Sequence, residues 1–148
     1  SDGTAWQTLD YALTQYAAGD TILVRKGDTI SAPNKTFKIT KSGVTLGSYD
    51  GGNGTANPIF DGEQAGDPAW PGVIDVAAIN VTIDSVSVHN AMRKGIYGNI
   101  GANGLVIKNC ETDWIYYASI QARECNGVVF ENNRVIRAAQ IHPEFSVA

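Results

Sequence analysis

A chain of 148 residues with 43% hydrophobic and 18% charged side chains can bury one ordinary core, and it is neither disordered nor fibrous. A formal charge of −4 and a pI near 5.0 leave no electrostatic footprint for nucleic acid or an anionic membrane. No run of about 18 apolar residues is present, which excludes a spanning helix, and the lack of a signal sequence before Ser1 reads as the start of a mature or trimmed product.

In chain order, Thr4 and Gln7 form a capping box. Trp6, Leu9, Leu13 and Tyr16 then recur at helical spacing until Gly19, which predicts one amphipathic helix over about residues 4–18. Short β-branched runs follow at Thr21–Val24, Phe37–Ile39 and Val44–Leu46, separated by turn residues. Residues 47–72, rich in Gly, Asn, Asp and Pro, read mainly as loop around a short strand at Pro58–Phe60, so 20–72 is expected to hold irregular first coils.

From Val73 the chain repeats. Segments 80–88, 104–112 and 127–135 align with Ile83, Ile107 and Phe130 at equivalent positions, 24 and 23 residues apart. Each alternates apolar and polar residues, so Val81 and Ile83, Leu105 and Ile107, Val128 and Phe130 face inward as one column. Ser85, Asn109 and Asn132 share one turn, where stacked polar side chains can bond along the axis. A further strand precedes each segment, with Ile74, Ile96 and Ile120 inside and Asp75, Tyr97, Asn99, Gln121 and Arg123 outside. The expected fold is all-β: a right-handed parallel β-helix of three-strand rungs of about 23–24 residues, with an N-terminal capping α-helix, regular over about 73–140 and forming one domain over 1–148.

Cys110 and Cys125 fall on opposite sides of the second strand in successive rungs, about 15 Å or more apart, whereas a disulfide needs Cα atoms within about 7 Å. Two free thiols are expected. Neither histidine stands at ligand spacing from them. Asp61, Glu63 and Asp67 carry oxygens that suit Ca2+, but their spacing is not that of an EF-hand; no metal or other cofactor is expected.

The helix followed by AGDTILVRKGDT (18–29), GVTLGSY (43–49) and NPIFDG (57–62), and then the rungs, resembles the opening of the pectate-lyase-like right-handed β-helix superfamily. That superfamily contains polysaccharide lyases, glycoside hydrolases, epimerases, phage tailspikes and adhesins, so the resemblance bears on fold more than on reaction. Catalytic members have more rungs than the three regular ones here. The C-terminal end is therefore expected to be covered by further rungs, by self-association or by another chain.

The resemblance implies a substrate groove on the outer face of the first strand of each rung. Here that face comprises Asp75, Tyr97, Asn99, Gln121 and Arg123, flanked by His89, Arg93, Lys94, Asp113, Trp114, Tyr116 and Tyr117. Aromatic faces stack on sugar rings, and the polar groups bind hydroxyls or uronate carboxylates. For lyase chemistry, which needs a base and a cation against the developing enolate, the candidates are Arg123, Lys94, Arg93 and His89. For hydrolysis the candidate carboxylates are Asp75 and Asp113. His142 falls past the last assignable strand. The expected function is that of a secreted, cell-surface or periplasmic protein acting on an acidic polysaccharide or oligosaccharide, with a lyase favoured over a hydrolase or epimerase. The alternative is a non-catalytic sugar-binding or adhesin-like β-helix.

Overall fold

The computed structural model describes residues 8–33, 35–52, 54–63 and 72–138. Among the described residues there is one helix, α1 (Leu9–Gln15), which starts directly after Thr8, whose hydroxyl accepts from the Tyr11 N–H at 3.2 Å. Thr4 and Gln7 lie outside the described residues; the helix observed is capped by Thr8 and ends at Gln15, before the predicted end near residue 18. Ala12 and Tyr16 are buried, and the Tyr16 hydroxyl accepts from the Thr40 N–H at 2.8 Å, seating α1 against the first coil. This covers the N-terminal end of the core.

The strands form a right-handed parallel β-solenoid with three sheets. Sheet A runs through β1 (Thr21–Arg25), β4 (Thr45–Tyr49), β7 (Thr82–Asp84), β10 (Val106–Lys108) and β13 (Val129–Glu131). Sheet B contains β2 (Thr29–Ser31), β5 (Ile59–Asp61), β8 (Ser87–Ala91), β11 (Glu111–Ile115) and β14 (Arg134–Val135). Sheet C contains β3 (Phe37–Ile39), β6 (Gly72–Val76), β9 (Lys94–Gly98) and β12 (Ala118–Ala122). All pairings are parallel, each strand bonding to its equivalent one coil away. The irregular first coils expected over 20–72 are two: β1 to β3, and β4 to β6, whose last strand starts at Gly72. The turn expected at Ser85 is present: the run from 80 to 88 bends there and serves two sheets.

Corners of left-handed backbone explain the repeat. Gly19, Gly43, Asn80, Gly104 and Gly127 all have positive φ, from 55° to 82°, and each stands just before a sheet A strand. Between sheets A and B the same role falls to Ser85, Asn109 and Asn132, with φ of 56°, 53° and 50°. Glycine and asparagine adopt this conformation at least cost, which is why they recur once per coil. The side-chain bonds along the axis use the neighbours of the expected residues: Asn109 donates to Asp84 of the coil below at 2.9 Å, and Asn133, next to Asn132, donates to the Ile107 carbonyl at 2.7 Å.

Inward residues stack in register. Ile22, Leu46, Ile83, Ile107 and Phe130 form the sheet A column, and Phe37, Ile74, Ile96 and Ile120 that of sheet C. Phe37 and Phe60 meet edge to face at 5.3 Å. Burial of each such side chain contributes roughly 1.5–3 kcal/mol. Cys110 is buried and Cys125 half-buried, and both are free thiols; burial pushes Cys110 up to about 11. The column runs out at the fifth coil, where Phe130 is 51% exposed.

Candidate functional site

Lys38, Asp75, Tyr97 and Gln121 stand in register across the outer face of sheet C, one from each of four successive coils. Outer side chains of a solenoid are ordinarily solvated, yet β6 and β9 are buried along their whole length. Asp75 is only 3% exposed, and its Oδ1 has no hydrogen-bond partner. Burial raises its carboxyl above the usual range, against the pull of Lys38 and Lys94. Lys94 is buried as well, its ammonium 3.5 Å from the centre of the Tyr97 ring. Burial lowers its pKa, reinforced by Arg123 and Arg93 and opposed by Asp75. The Gln121 Oε1 and Ser119 Oγ are further buried, unpartnered acceptors.

Such atoms are costly, about 1–3 kcal/mol each when left unsatisfied. Concentrating Asp75, Gln121 and Ser119 on one face therefore makes it a candidate for binding a polar ligand. Asn99 and Arg123 follow at the strand ends, where their N–H groups donate to the Val76 and Gly98 carbonyls. Arg123 is exposed and pairs with Glu124 at 3.2 Å, while the Asn99 carboxamide accepts from the Ile100 N–H.

Two of the sequence candidates lie elsewhere. His89 and Asp113 belong to the outer face of sheet B, in register with Asp61. There His89 Nε2 is 3.6 Å from Glu111 Oε1, Arg134 bonds Glu111 at 3.0 Å, and Arg137 grips both oxygens of Asp113, its Nε at 2.6 Å. The Arg137 bonds hold the Asp113 carboxyl below its ordinary value. Arg137 also lies over the Trp114 ring at 4.6 Å. This face is a charged ladder tying the fifth coil to the fourth. Asp75 and Asp113, paired as candidate hydrolytic carboxylates, thus belong to different sheets.

Arg93, Tyr116 and Tyr117 form the corner between sheets B and C, where the Tyr116 and Tyr117 N–H groups donate to Ala91 and Arg93. Trp114, in left-handed backbone at φ 54°, turns β11 toward that corner. Tyr117 is exposed at this corner. Lys38 is an addition from the structure, because it stands 37 residues before its partner Asp75, off the rung spacing. Asp61 accepts from Asn90 at 2.9 Å and from the Glu63 N–H at 2.8 Å, while Glu63 accepts from Ser31. Asp67 and His142 lie outside the described residues, among which no three metal-binding side chains converge. A separate cavity of about 470 Å3 lies at the N-terminal end, lined by Arg25, Asp28, Ser31 and Lys35 among others.

Set against protein families, curated proteins and solved structures, the chain has no match in any of the three.

Proposed function

We propose that the outer face of sheet C is a carbohydrate-binding groove and that the chain forms part of an extracellular protein acting on an acidic polysaccharide. The observation that carries this reading is the buried register of Asp75 and Tyr97 beside Lys94, flanked by Lys38, Gln121 and Arg123. A uronate chain is chemically complementary to this face: its carboxylates suit the cationic Lys94 and Arg123, its hydroxyls the Asp75 and Gln121 oxygens left without a hydrogen bond, and its ring faces the aromatic Tyr117. The order of helix, strands and rungs resembles the pectate-lyase-like superfamily, which supports the same reading.

Within it, a lyase is favoured over a hydrolase. Abstraction of a proton beside a uronate carboxylate requires a base with a raised proton affinity and cations facing the developing enolate. Asp75, whose carboxyl is raised by burial, and Lys94 with Arg123 suit those two roles. A hydrolase needs two carboxylates about 5–10 Å apart across one glycosidic bond, and the assignment of Asp113 to the other face favours the first mechanism.

Titration with uronate oligosaccharides and their neutral counterparts, followed by assay for unsaturated product, tests this function. Saturable binding of the uronates alone is expected, weakened at least about tenfold by Arg123→Ala or Tyr97→Ala, each contact being worth about 1.5–3 kcal/mol. Asp75→Asn is expected to abolish turnover while leaving thermal stability equal or higher, because it removes a desolvated charge. Binding without product would make this a binding module; no binding of any uronate would overturn the groove.

A further inference from the structure

The dipeptide Asn-Gly occurs at the same corner in two successive coils, as Asn103–Gly104 and Asn126–Gly127, 23 residues apart. Both glycines adopt left-handed backbone, at φ 69° and 65°. Their surroundings differ. The Gly104 N–H donates to the Asn126 carbonyl at 2.8 Å, and the Asn126 N–H in turn donates to the Asn103 side-chain oxygen at 2.8 Å. One coil thus locks both the nitrogen and the carboxamide of the dipeptide below it. Asn126 and Gly127 are exposed, and among the described residues the Gly127 N–H has no acceptor.

We propose that Asn126 is a site of spontaneous deamidation and isoaspartate formation, and that the fourth-coil Asn103 is kept inert by two bonds to the fifth, one accepted by its side chain and one donated by the Gly104 N–H. Glycine after asparagine leaves the backbone nitrogen unhindered, and asparagine is among the thermolabile side chains. The Gly127 nitrogen attacks Asn126 Cγ: the N–Cγ bond forms, the Cγ–Nδ2 bond breaks, and the amide proton leaves with the departing nitrogen as ammonia. Water then opens the resulting five-membered imide at either carbonyl, giving Asp or isoAsp, with no change of oxidation state. At Asn103 the same attack requires Gly104 first to give up its bond to Asn126, so it proceeds only through local opening. An isoAsp at 126 inserts a methylene into the main chain and displaces the groups that protect Asn103. The reaction is therefore ordered, from the fifth coil to the fourth.

The test is to age the full chain at mildly alkaline pH and follow both sites by peptide mapping that separates Asp from isoAsp, with a urea-denatured sample alongside. In the native protein Asn126 converts at least about tenfold faster than Asn103, the ratio expected for opening two net hydrogen bonds. Asn103 is modified only in molecules already modified at Asn126, and in urea the two rates converge. Equal native rates, Asn103 reacting first, an unreacted native Asn126, or the same ratio persisting in urea would each overturn the proposal.

Discussion

Asn109 shows how much of this architecture rests on single backbone conformations. At φ 53° it turns the chain from sheet A into sheet B, its side chain reaches Asp84, and its carbonyl accepts from Asn57. A left-handed residue with an ordinary Cβ costs roughly 1–2 kcal/mol, a cost that asparagine reduces and glycine avoids. Asn109→Ala is therefore expected to lower stability by about 1–2 kcal/mol, and Asn109→Gly by clearly less, since only the Asp84 bond is lost. Urea unfolding with unchanged slope measures both. Asn132, at the same corner but with no coil above it among the described residues, is exposed, so its backbone strain counts for less.

Between elements, the attachment of β14 to β11 depends on charge as well as on strand pairing. The Arg134 and Ile136 N–H groups donate to the Cys110 and Thr112 carbonyls, and outside this short ladder Arg137 holds Asp113 while Arg134 holds Glu111. Because Arg137 holds the folded pKa of Asp113 below its unfolded value, near 3.9, the stabilisation is fully present above that value and is lost as pH falls through the lowered folded pKa. The fifth coil is thus expected to loosen at acid pH before the coils beneath it. Arg137→Ala should produce the same loosening at neutral pH. Hydrogen exchange of the Arg134 and Ile136 amides, corrected for intrinsic rate, should rise several-fold in either case, while the Ile107 amide is unchanged. Equal loosening of β10 would mean that the coils do not open separately.

Across the whole molecule, stability should fall away toward the fifth coil, because each coil contacts only its neighbours. Ile107 is fully buried between Ile83 and Phe130, whereas Phe130 is half exposed. Ile107→Ala is expected to cost about 2–5 kcal/mol, and Phe130→Ala roughly 1 kcal/mol despite the larger side chain. Calorimetric melting of the two variants checks the gradient. The coil repeat was legible from residue identity: Ile83, Ile107 and Phe130 are spaced by one turn, alternation assigns them inward, and Gly or Asn marks the corners. The distribution of functional groups was not legible in the same way. The strands that follow the corners at Ser85 and Asn109 run on to Ala91 and Ile115, so His89 and Asp113 join sheet B instead of flanking Asp75. Lys38 joins Asp75 through a pairing across 37 residues, which no local period reports. Periodicity is a local property of covalent spacing and shows in the sequence. The identity of the outer face on which a side chain stands depends on corner geometry and on loop lengths summed around each coil, and it exists only once the coils have stacked.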